Sequence, residues 1–127
     1  MQDFRNLRVW RDAHRLAVAI YSSTHAFPPS EQFGLTSQLR RSAASISANI
    51  AEGVNRGSDK DFARFVRMAL SSTNELESHL LLARDVGFVT SEESRRLKAD
   101  LERVRRQMIQ LSKRLKTQTG RARNSVV

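Results

Sequence analysis

The chain has 127 residues, 22 Lys+Arg against 13 Asp+Glu, a formal net charge of +9 and no cysteine. That length suits one ordinary domain, and a chain with no Cys, 5 Gly and 2 Pro cannot be a disulfide scaffold or a collagen-like repeat. The opening MQDFRNLRVWRDAHR carries charges every few residues, unlike a signal peptide, and no hydrophobic run is long enough to span a bilayer, so a cytoplasmic protein without a membrane partner is expected.

The first helix is predicted over about 6–24, where Leu16, Ala17, Ile20 and Thr24 recur at helical spacing behind Trp10 and Ala13. FPPSEQFG interrupts it, because Pro28 and Pro29 lack the N–H and clash with a preceding turn. Phe27 is expected to fold back onto the core, and Ser30 or Thr36 to cap the next helix. That second helix spans about 36–55, with Leu39, Ala43, Ile46 and Ile50 within about 40° of one another on a helical wheel. Gly57 suits a left-handed helix end, Gly53 reads as the beginning of that end, and Ser58 with Asp61 resembles a capping box.

The third helix, about 59–86, carries Phe62, Phe65, Val66, Ala69, Leu76, Leu80 and Ala83, and Gly87 stops it. Thr90 with Glu93 caps a fourth, in which Leu97, Leu101, Val104, Met108, Leu111 and Leu115 alternate steps of four and three. No stretch alternates like a strand. Short connections make consecutive helices antiparallel neighbours, so the expected fold is all-α, an antiparallel up-down four-helix bundle over residues 1–116. TQTGRARNSVV lacks periodicity, and residues 117–127 are expected to form a flexible basic tail.

Charge is unevenly distributed. Residues 1–90 carry a net +2 and residues 91–127 a net +7, with eight basic residues and no acidic one after Glu102. Arg103, Arg105, Arg106, Lys113, Arg114, Lys116, Arg121 and Arg123 are therefore candidate contacts to RNA or DNA phosphates. Aromatic stacking residues are missing from this segment, which argues for weakly selective, electrostatic contact. A solvated face that keeps the protein soluble is the plainer use of the same charge.

SAASISANIAEG, residues 42–53, holds a second feature. Gln38, Arg41, Ser45, Asn49 and Glu52 form a small polar stripe roughly 80° to 160° from the core direction. Small side chains admit another backbone, and the polar ones can pair across the contact, so this stripe is a candidate oligomer interface. Glu52 faces the negative end of its helix dipole; Arg56, at i+4, or a cation from another subunit would relieve that. Glu75 and Glu77 are further candidates to meet a neighbouring subunit's arginines.

FPPSEQFGLTSQLRRSAASISANIAEG, preceded by Trp10 and followed by FARFVRMALSSTNELE, resembles the 23S rRNA intervening-sequence proteins, the S23 family. The matching positions are Phe27, Pro28, Glu31, Gly34 and Leu35, then Gln38, Arg41, Ser45 and Asn49 to Gly53, and later Phe65, Ala69, Ser72 and Glu75 to Glu77. Ser71 stands where the family usually has glycine. The resemblance implies a four-helix bundle assembled as a homopentamer, and a distant link to an accessory protein that works with a reverse transcriptase and nucleic acid. It implies no biochemical role.

Nothing in the pattern supports catalysis. Glu75 and His79 share a face as a ligand fragment or a surface pair, without a second such pair on another helix, so no metal and no cofactor is expected. HExxH, GxSxG and GxxxxGK[ST] are absent. Two readings remain. One is a non-enzymatic homo-oligomeric adaptor for nucleic acid, with room for a protein partner; the other is a purely structural or protein-binding homo-oligomer.

Overall fold

A computed structural model describes residues 3–125, with side chains as far as 117. Four helices carry the fold: α1 (Arg8–Thr24), α2 (Leu35–Val54), α3 (Asp59–Asp85) and α4 (Ser91–Ser125). Short 3-10 turns occupy Phe4–Asn6 and Pro29–Glu31, and there are no strands among the described residues.

Side-chain pairs fix the direction of each helix. Ser45 meets Ser72 and Gly53 lies against Phe65, so α2 and α3 run oppositely. Arg105 of α4 reaches Glu77 of α3 across their hairpin, while Gln107 meets Asp12 and Glu93 meets Ser23, turning α4 against α1. The result is an up-down four-helix bundle. Its centre holds Leu16, Ile20, Leu39, Ile46, Ile50, Val66, Leu76, Leu97, Leu101 and Met108, the stripes expected from sequence. Leu111 is only partly buried and packs against this core.

The ends are set by local chemistry. Ser58 Oγ accepts from the Asp61 N–H and Thr90 Oγ1 from the Glu93 N–H, as the capping pattern predicts. At the end of α3, Phe88 N–H donates to Ala83 O and Gly87 N–H to Arg84 O, with Gly87 at φ +84°. That is a Schellman ending, which needs a residue free to adopt positive φ. Phe27 is buried and packs at 5.4 Å against Phe88, closing this end of the bundle.

Two expectations change. Neither Ser30 nor Thr36 caps α2: the Glu31 carboxylate accepts the Leu35 N–H at 3.0 Å. A carboxylate suits the positive end of the helix dipole. A Cβ on Gly34 would come within 2.8 Å of that same Glu31 oxygen, so glycine leaves room for the cap. In addition, α4 does not end at Lys116. Its backbone stays helical to Ser125, roughly 15 Å beyond Leu115 at 1.5 Å per residue.

Candidate functional site

The polar stripe of α2 divides between two uses. Ser45 and Asn49 turn inward along the α2–α3 seam: Ser45 Oγ lies 2.7 Å from Ser72 Oγ, and Asn49 Nδ2 donates to the Ser45 carbonyl and hydroxyl. Glu52 takes its partner from the turn that follows its helix, Arg56, at 2.8 Å. Gln38, Arg41 and Glu75 remain exposed and line a groove with Ser42 and Ser45. Arg41 and Glu75 have no ion-pair partner among the described residues. The next groove along the same seam, about 400 Å³, is lined by Gln38, Glu75, Leu35, His79, Leu82 and Val86. Leu82 and Val86 are half exposed there, and His79 Nε2 is buried without a hydrogen-bond partner.

Gly53 is next to last in α2, at the helix end as expected, but its place also serves packing. It is buried within the helix, where a Cβ would lie 2.8 Å from Phe65 Cβ and 2.9 Å from Phe62 Cδ1. Glycine is what lets α2 and α3 approach here, and the sequence carried this signal in the glycine opposite two phenylalanines.

The basic residues of α4 also divide. Arg105 is only 17% exposed and points into the α3–α4 seam, bonding Glu77 at 2.7 Å, Glu102 and Asn74. Burial by itself would lower its pKa, but the carboxylates of Glu77 and then Glu102 outweigh it, and the guanidinium is held above its ordinary value. Arg105 is thus a structural cation, and Glu77 is satisfied within its own chain. Arg103 faces solvent with a loose contact to Asp100 at 3.6 Å. Arg106, Lys113, Arg114 and Lys116 are exposed and pair with no carboxylate among the described residues. The side chains of Arg121 and Arg123 lie outside the described residues.

Sequence order hid three further cations. Gln107 Nε2 donates to Asp12 Oδ2 at 2.8 Å, and this contact sets the α1–α4 register. Arg15, one turn from Asp12, then lies level with Arg103, while Arg8 lies toward the Arg114 end. Arg11, on the same helix, donates from Nη1 to the Arg5 carbonyl at 3.2 Å, and Arg8, Arg11 and Arg15 are all exposed. Against them stand Asp12, shared by Gln107 and Arg15 at 3.5 Å, and Asp100. At this end Arg5 holds Asp3: the Arg5 side chain, then its backbone N–H, keeps the Asp3 carboxyl below its ordinary range, and the Arg5 guanidinium is raised in return.

No group of three or more potential ligands among His, Cys, Asp and Glu converges among the described residues, and none of their helices is long and apolar enough to cross a membrane.

The family model of the 23S rRNA-intervening sequence protein matches residues 5–110, which take in the Glu31–Gly34 cap, the Gly53 contact and the α1–α4 seam as far as Arg106. The chain belongs to that family. A solved structure from Bacteroides thetaiotaomicron VPI-5482, described as a protein with unknown function from the S23 ribosomal protein family, is 28% identical. It superposes with a TM-score of 0.75 over 83% of this chain and 98% of that one. No curated protein matches. The family thus accounts for the fold and leaves the activity to be argued from the surface.

Proposed function

We propose that the protein is a non-enzymatic, cytoplasmic homo-oligomeric adaptor that holds RNA or DNA through its phosphates. The observation that carries this reading is the α1–α4 seam. Arg8, Arg11 and Arg15 stand along one helix and Arg103, Arg106 and Arg114 along the next, with Asp12 and Asp100 as the opposing charges. Neighbouring helix axes lie about 8–10 Å apart, so both rows act on one polyanion. Guanidinium groups pair well with phosphate oxygens, and phosphate contacts carry no base sequence. Lys113 and Lys116 extend the field along α4.

Assembly belongs to the same proposal. The α2–α3 flank joins uncommitted polar groups, Gln38, Arg41 and Glu75, to the half-exposed Leu82 and Val86. A second copy there would cover apolar surface and pair the charges; the family resemblance favours a pentamer. Several basic seams in one particle would raise avidity for a single strand.

An electrophoretic shift assay of the full chain with mixed-sequence RNA and DNA across a salt series tests the reading. Binding should weaken steeply with salt, with little preference for sequence. No shift at low salt would leave the second reading, an oligomer that binds protein or is purely structural. Sharp sequence selectivity that resists salt would refute the mechanism.

A further inference from the structure

A separate cavity lies on the opposite flank of α4, between α3 and α4. It encloses about 440 Å³ and is lined by Glu77, Leu80, Leu81, Arg84, Ser91, Ser94, Arg95, Lys98 and Leu101. We propose that this cavity binds a small organic anion with a compact apolar body. This inference does not depend on nucleic-acid binding.

Three observations converge. First, Arg95 and Lys98 of α4 bring positive charge to a cavity that Arg84 of α3 also lines, and charge of one sign in a cleft attracts an anion. The carboxylate among the lining residues, Glu77, is already engaged by Arg105 at 2.7 Å. Arg84 is ion-paired at 2.9 Å with its chain neighbour Asp85, which is not part of the lining, whereas neither Arg95 nor Lys98 has an ion-pair partner among the described residues. Second, Ser94 is only 9% exposed and lines the same cavity, so its hydroxyl is placed to donate to an anion held there. Third, Leu80 and Leu101 are buried beneath the cavity, and Leu81 is 37% exposed beside it. A bare phosphate would engage the cations and leave Leu81 in water. A ligand joining an apolar body to one carboxylate satisfies both, and the volume falls within the usual range for small-molecule sites.

The test uses the nitrogen-15-labelled full chain and 4-phenylbutyrate as probe. Saturable amide shifts are expected at Leu81, Ser94 and Lys98, with the α1–α4 seam unmoved. 4-Phenylbutylamine, of similar body and opposite charge, should produce none there. Inorganic phosphate should bind at least roughly tenfold more weakly, since it gains nothing from the apolar wall. The double variant Arg95→Gln/Lys98→Gln, at exposed positions, should lose about tenfold in affinity while keeping its helix content. Leu81→Ser should weaken 4-phenylbutyrate and leave phosphate unchanged. The proposal is overturned by no saturable shift up to about 10 mM, where only affinities weaker than about 3 kcal/mol would escape. Equal binding of the amine or of phosphate overturns it too, as does unchanged affinity in a folded double variant.

Discussion

Arg105 of α4 donates to the Glu77 carboxylate of α3 at 2.7 Å and binds Glu102 with another terminal nitrogen. Counted along the chain, Arg105 belongs to the basic segment; in space it is the clasp of the α3–α4 hairpin. Arg105→Gln leaves Glu77 and Glu102 as neighbouring carboxylates without their counter-ion. The Arg105 and Glu77 side chains are 17% and 29% exposed, so solvent screens part of the loss. The expected cost is about 1–3 kcal/mol in urea denaturation. The same variant should leave the salt slope of nucleic-acid binding unchanged. A lower slope at unchanged stability would show that Arg105 is a phosphate ligand after all.

Gly53→Ala should destabilise the bundle by about 1–3 kcal/mol, because a Cβ has no room against Phe62 and Phe65. Helix propensity predicts the opposite sign, a gain from alanine of up to about 1 kcal/mol and less in the last turn where Gly53 stands. Thermal melting separates the two. A raised melting temperature would mean that α3 moves away at little cost.

Ile46→Ala and Leu101→Ala should each cost about 2–5 kcal/mol, since both side chains are fully enclosed among facing helices. Arg95→Ala, at an exposed position, is the control and should change the denaturant midpoint little. Unchanged midpoints in both core variants would require different buried faces.

Helix number, core stripes and most caps were legible because each is a local pattern: apolar spacing, Ser58 with Asp61, Thr90 with Glu93, Gly87. The features that stayed hidden depend on register between helices. Asn49 lies beside the core stripe on a wheel, but a wheel does not show that Ser72 of α3 stands next to Ser45. The Glu31 cap was missed because carboxylates four residues ahead of a helical N–H are a less common solution than Ser or Thr at the cap itself. The α1 arginines escaped because about 90 residues of chain separate them from the α4 arginines that they accompany in space.

The proposed assembly predicts unequal roles within the polar stripe. Arg41→Glu should shift the mass measured by light scattering, because Arg41 is exposed and uncommitted. Asn49→Leu should act on stability instead, since it removes the bonds to Ser45 inside the seam. A wild-type mass of one chain at micromolar concentration would refute the assembly. An unchanged mass for Arg41→Glu together with a changed mass for Asn49→Leu would move the interface deeper into α2.

The α1–α4 seam gives the sharpest prediction about function. Had the basic C-terminal segment acted alone, as its sequence suggests, removing charge from α1 would leave binding to RNA or DNA nearly unaffected. With two rows working on one strand, Arg8→Gln, Arg11→Gln and Arg15→Gln together should weaken binding about as much as neutralising Arg103, Arg106, Lys113 and Arg114. Every phosphate left without its cation lowers the log–log salt slope by about 0.7–0.9, so where every cation touches a phosphate the α1 variant should flatten it by roughly two to three units and the α4 variant by roughly three to four. These side chains are exposed, so helix content and melting should stay close to wild type. Truncation after Thr117 removes Arg121 and Arg123 and measures their share separately. If the wild-type chain binds and the α1 variant binds equally well, the partner runs along α4 alone, and the seam is only a solvated surface.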